Sequence, residues 1–134
     1  MPASDRPPKT AADLTPEEIE AYRRAAQERR AARERAIEAR RQRAWNVAHA
    51  SARLLKTRFG ARRVWAFGSL LRRGFGLDSD VDLMVEGLSP ALLGQALEAV
   101  QELDPEIGVD LLRWEETTPP ASLRRRVERE GVEL

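Results

Sequence analysis

Apolar positions fall at helical spacing in the first part of the chain and in short, separated runs beyond residue 60. Residues 1–14 hold three prolines and few bulky apolar groups, the composition of a disordered segment. Thr15-Pro16-Glu17-Glu18 then reads as a helix start, with Thr15 as N-cap, Pro16 at N1 and Glu18 completing a capping box. No Gly or Pro follows until Gly60, a plausible C′ residue, so the stretch predicts one long helix or two in succession. From Tyr22 to Ala44 it is rich in Ala, Arg and Glu, with high helix propensity and little to bury. From Trp45 to Phe59, the residues Val47, Ala48, Leu54, Leu55 and Phe59 form a face able to dock on a core. The pattern divides the chain into a disordered N-terminus (1–14), an Arg-rich helical extension (15–44) and a globular domain (45–134).

Beyond Gly60 the runs alternate in type. Arg63–Phe67 predicts a short strand ended by Gly68-Ser69, followed by a helical turn over Leu70–Arg73 and a loop to Ser79. Val81–Val85 predicts a second strand, with Asp80 at its start. Ser89-Pro90 opens a helix whose face is Leu92, Leu93, Ala96, Leu97, Val100 and Leu103, broken by Asp104-Pro105. Ile107–Trp114 predicts a third strand. Thr117/Thr118 with Pro119/Pro120 open a last helix that runs through Leu123 and Val127 to Gly131. The order helix–strand–strand–helix–strand–helix implies an α+β (or α/β) domain with a small mixed sheet flanked by helices.

Composition narrows the chemistry. The chain of 134 residues has no cysteine, which excludes disulfides, thiolate nucleophiles and cysteine-ligated metals, and a single His49, which excludes multi-histidine metal sites within one chain. No apolar run approaches the ~20 residues that span a bilayer, and the polar, Pro-rich start lacks the apolar stretch of a signal peptide. A cytoplasmic protein is expected. The net charge of +1 hides an asymmetry: residues 1–63 hold 16 Lys/Arg against 8 Asp/Glu, and residues 64–134 hold 7 against 14. The basic half could face an anionic partner. The acidic half is where ligands for a hard cation are expected.

Those ligands follow from spacing. Asp80 and Asp82 lie two apart on a predicted strand, so their side chains share one face while Val81 and Leu83 point to the core. Two adjacent carboxylates repel unless a cation sits between them, and Mg²⁺ is usually held by one or two carboxylates with phosphates and water. Asp110 interrupts the apolar run IGVDLLRW and becomes a third ligand if that strand lies beside Val81–Val85. Three carboxylates can hold two metal ions across an in-line displacement. Upstream, Gly68 lets a phosphate approach the backbone, Ser69 adds a hydroxyl, and the N–H groups of Leu70 and Leu71 begin a helical turn. Arg72 and Arg73 follow; each is either a surface charge or a contact to a triphosphate tail. Asp78 reads as a turn residue rather than a ligand, His49 as a helix-surface residue, and Trp65 and Trp114 as packing residues flanking strands, though either could border a nucleotide pocket.

Gly68-Ser69, ten intervening residues, Asp80-Val81-Asp82 and a later-strand Asp110 together resemble the signature of the polymerase-beta-like nucleotidyltransferase superfamily. The length resembles its minimal branch, the MNT proteins, over about residues 45–134. That resemblance implies Mg²⁺-dependent transfer of a nucleoside monophosphate, often AMP from ATP, to an acceptor, with pyrophosphate leaving. It makes Asp80, Asp82 and Asp110 the metal ligands and catalytic carboxylates of a two-ion site. It makes Gly68, Ser69, Arg72 and Arg73 the candidates for holding the triphosphate. Minimal members are often paired with a HEPN-domain ribonuclease toxin and act as its antitoxin, some by adenylylating it. No acceptor domain follows the motif here, so the acceptor is expected on a partner or another subunit. A binding module that neutralises its partner by occlusion is the alternative.

The Arg-rich helix lies outside that pattern. From Arg23 to Arg43 there are nine Arg against three Glu. It reads either as a solvated or protein-docking helix, supported by Glu34 and Glu38 with Arg30, Arg41 and Arg43, or as a surface for RNA or another nucleic acid. No heptad of large apolar residues supports a coiled coil.

Overall fold

A computed structural model describes residues 13–116 and 120–134. A single helix, α1, runs Pro16–Arg58. Thr15 caps it: its hydroxyl oxygen accepts the Glu18 N–H at 3.1 Å, as the Thr-Pro-Glu-Glu sequence requires. At the far end Gly60 takes φ +76°, and the Ala61 N–H returns to the Leu55 carbonyl at 3.0 Å. Four strands follow, β1 (Arg63–Phe67), β2 (Val81–Glu86), β3 (Val109–Arg113) and β4 (Val132–Glu133), with α2 (Leu93–Gln101) and α3 (Pro120–Glu130) between the later ones.

The chain divides into two compact units, between Ala36 and Ile37. In the first, the described residues are chiefly the N-terminal part of α1, a solvated helix with Tyr22 63% exposed and an ion pair between Glu20 and Arg23 at 3.8 Å. The second unit, Ile37–Leu134, begins upstream of the expected boundary at Trp45. The reason is that Arg40, Arg41 and Arg43, assigned above to the extension, bind loops of the domain itself. Arg43 grips both oxygens of Asp104 at 2.8 Å and reaches Glu106 at 2.9 Å. Of the helix pairs expected for Glu34 and Glu38, Glu38 meets Arg41 at 3.7 Å.

The sheet has the order β3-β2-β1-β4. β1 runs antiparallel to β2 and β4, whereas β2 and β3 are parallel, so the sheet is mixed as expected. Alternation sends Val64, Ala66, Val81, Leu83, Val85 and Val109 to one face, where they bury against Val47, Ala48 and Leu55 of α1 and Ala96 and Val100 of α2. The opposite face carries a smaller cluster of Trp65, Met84 and Val127, with Phe67, Trp114 and Leu123 packed on it. The Trp65 and Trp114 rings stack at 5.1 Å, which makes both tryptophans packing residues.

Three sequence expectations change. Leu97 and Leu103 are exposed, because α2 ends at Gln101 and turns its buried side through Ala96 and Val100. Ser89 precedes a 3₁₀ turn (Pro90–Leu92) and makes no side-chain cap bond. β4 was not anticipated: two residues are too few to show alternation, yet they pair with Trp65 and Ala66, and the Leu134 N–H reaches the Val64 carbonyl at 2.8 Å. The Thr117/Thr118 cap of the last helix lies outside the described residues. Among the described residues no helix is long and apolar enough to cross a membrane.

Candidate active site

The parallel pairing of β2 and β3 puts Asp82 directly opposite Asp110, the strand adjacency on which the third carboxylate depended. Asp80 stands one residue before β2, packed over Gly108, where a Cβ would come within 2.7 Å of its Oδ1. Asp82 is half-buried, while Asp80 and Asp110 are exposed. Burial first, then the Asp110 and Asp80 carboxylates, push the Asp82 carboxyl above its ordinary value of 3.8. The three acidic groups thus share one electrostatic neighbourhood on the sheet face that α3 only partly covers.

The Gly68-Ser69 turn is joined to this cluster by register. Phe67, the last residue of β1, pairs with Asp82. Gly68 follows at φ +77°, a conformation that favours glycine. A Cβ at Gly68 would overlap Oδ2 of Asp82. Glycine here therefore makes room for a carboxylate of the protein itself, a role that spacing alone did not reveal. Gly68–Leu71 form a 3₁₀ turn, two residues earlier than the Leu70–Arg73 turn expected, and the Ser69 hydroxyl lies 3.4 Å from the Asp80 carbonyl.

A cavity of about 350 Å³ opens beside the turn, lined by Phe67, Gly68, Leu71 and Arg72 with Arg126 and Glu130 of α3. Arg72 is thus placed where an anion could be met. Arg73 lies on the next turn, outside that cavity. Arg126 was missed in the sequence, because nothing in the run Arg124-Arg125-Arg126 distinguishes the arginine that faces the turn.

Two further arginines brace the site from α1. Arg41 donates to the carbonyls of Leu70 (3.0 Å) and Arg72 (3.3 Å) and lies 5.2 Å over the Phe75 ring, closing the turn that follows Gly68-Ser69. Arg40 donates to the carbonyls of Ser79 (3.0 Å) and Glu106 (3.1 Å) and stands 4.0 Å from Asp80. In the sequence these residues merge with a run of solvated arginines; only their helical phase with Ala44, Val47 and Ala48 hints that they face the domain.

Among the described residues, no three His, Asp or Glu side chains form a ready-made metal cage. The donor chemistry still fits Mg²⁺. All three candidates are hard oxygen ligands, two glycines leave space for two of them, and Mg²⁺ commonly completes its shell with phosphate and water.

The raised Asp82 sets a pH dependence. In the folded chain Asp82 keeps its proton to higher pH than in the unfolded chain, so the folded state binds more protons across that window. Stability contributed by this group therefore falls as pH rises from 3.8 through the raised value, and the deficit persists above it. Glu86, held low by its hydrogen bond from Arg63, works in the opposite sense. The Asp82 component is isolated by subtracting the melting curve of Asp82→Asn from that of wild type in chelator. The variant should be the more stable at neutral pH, with the gap closing on acidification; a gap independent of pH would show that the carboxylate cluster is not strained.

No protein-family model and no curated protein sequence matches the chain. Among solved structures, the fold is similar to that of the toxin-antitoxin MntA-HpeT, with a TM-score of 0.52 and 16% identity over 64% of this chain and 70% of the other. That crystal structure is of a mutant in which two aspartates two positions apart are changed to glutamate. The four-stranded mixed sheet, its flanking helices and the long N-terminal helix make an α+β fold, and the likeness to the MntA-HpeT structure is one of fold.

Proposed function

We propose that this chain is a Mg²⁺-dependent nucleotidyltransferase that moves a nucleoside monophosphate, AMP from ATP, onto a protein or RNA acceptor, and that it serves as the antitoxin of a HEPN-type ribonuclease toxin. The observation that carries this reading is the register match of Asp82 with Asp110, with Asp80 beside them and the Gly68-Ser69 turn against Asp82. The fold likeness to a toxin-antitoxin complex supports the antitoxin role. The paired aspartates changed in that complex have the same spacing as Asp80 and Asp82.

Asp80, Asp82 and Asp110 would hold the metal. The bound ion supplies charge neutralisation to the triphosphate and polarises the reacting oxygens. Ser69 and Arg72, joined by Arg126 across the cavity, would hold the β- and γ-phosphates. Asp110, exposed on the edge strand β3, would take the proton of the acceptor hydroxyl. The acceptor oxygen bonds to the α-phosphorus, the bond to the bridging oxygen breaks, and pyrophosphate leaves. Rate acceleration would come from alignment and charge compensation.

The test is incubation of the full chain with Mg²⁺, ATP labelled at the α-phosphate, and either a HEPN-type partner or RNA. Label should move to one acceptor and require Mg²⁺. Absence of transfer to both, with the partner still neutralised, would replace catalysis by occlusion.

A further inference from the structure

Arg40 is a partly buried cation with no part in the chemistry above. Its side chain is 17% exposed, and its Nε is buried without a hydrogen-bond partner. A buried donor left unpaired lowers stability, and an apolar side chain of similar size would serve packing as well or better. What Arg40 does uniquely is bridge two loops. Nη2 holds the carbonyl of Ser79, the residue before Asp80, and Nη1 holds the carbonyl of Glu106, just ahead of Gly108 and Asp110. These loops lead into β2 and β3. The Val81 N–H closes the same junction by donating to the Gly108 carbonyl at 2.9 Å.

We propose that Arg40 is a positioning residue for the divalent-cation site: its planar guanidinium sets the spacing between the segment that carries Asp80 and Asp82 and the segment that carries Asp110. The inference rests on the reading of those carboxylates as metal ligands. Lysine cannot reproduce it, because one ammonium lacks the rigid fork that reaches both carbonyls at once. The positive charge alone predicts something different. A cation 4.0 Å from Asp80 opposes a metal, so its removal by itself would tighten metal binding.

Those opposite signs make the test. Mn²⁺ serves as the probe, titrated into the full chain and followed by electron paramagnetic resonance. Amide hydrogen exchange is measured at Val81, Asp82, Val109 and Asp110. Arg40→Lys and Arg40→Met should both weaken Mn²⁺ binding by about 10-fold or more, the usual effect of losing a group that orients metal ligands. The four amides should exchange faster in both variants. Arg40→Lys decides the matter if Arg40→Met does not fold. Mn²⁺ affinity within about twofold of wild type in Arg40→Lys, or tighter binding in Arg40→Met, overturns the proposal. Failure of the wild-type chain to bind Mn²⁺ is a distinct result: it overturns the metal reading of the carboxylates themselves.

Discussion

The Asp80→Asn/Asp82→Asn chain is expected to transfer label from ATP at least about 10³-fold more slowly than wild type and, in chelator at neutral pH, to melt at a higher temperature. The two effects have one cause. Asp82 sits half-buried between like charges, which raise its proton affinity and disfavour its ionised form. That repulsion is tolerable if a divalent cation normally lies among the carboxylates; amides keep the shape and remove both the repulsion and the affinity for the ion. Activity and apo-stability should therefore move in opposite directions, and added Mg²⁺ should raise the melting temperature of wild type only. Equal label transfer by the double variant would dismiss the enzymatic reading. Loss of transfer together with loss of stability would show instead that these aspartates are structural, comparable to Asp104 under Arg43.

Gly68→Val is expected to be the most damaging single change at the site. The residue lies at φ +77°, where a side chain is strained by about 1–2 kcal/mol. The new Cβ would also overlap the Asp82 carboxylate, and overpacking of that kind typically adds about 1–3 kcal/mol. For a domain of this size the sum should lower the melting temperature by roughly 10–20 °C. Gly74→Ala is the control: its added Cβ meets nothing within 4 Å, and its φ is not in the left-handed region. Thermal melts of the two variants suffice. Similar stability for both would mean that the turn relaxes freely and that Gly68 is not chosen for its fit to Asp82.

The sequence made the site's contents legible where residue type and spacing act locally. The step between Asp80 and Asp82, the glycine after a strand, and the capped start of α1 are local facts, and each is present in the fold. Asp110 needed one inference about neighbouring strands, and the parallel register of β2 and β3 supplies it. What stayed hidden depends on contacts far apart in the chain. Arg40, Arg41 and Arg43 look like solvated helix charges until loops from the second half of the chain fold onto them. Arg126 belongs to a cavity whose other wall lies more than fifty residues upstream. β4 is too short to leave a periodic trace and exists because β1 offers it an open edge.

The parallel pairing also has a kinetic consequence. β1 and β2 join through a connection within one stretch of chain, whereas β2 and β3 meet only after α2 has crossed between them. Long-range parallel pairing is slow to form because chain closure precedes its contacts. A cation that needs ligands from both strands then has little to hold in a transition state lacking that pairing. It would leave the folding limb of the chevron unchanged and depress the unfolding limb, lengthening the lifetime of the native state without hastening its formation.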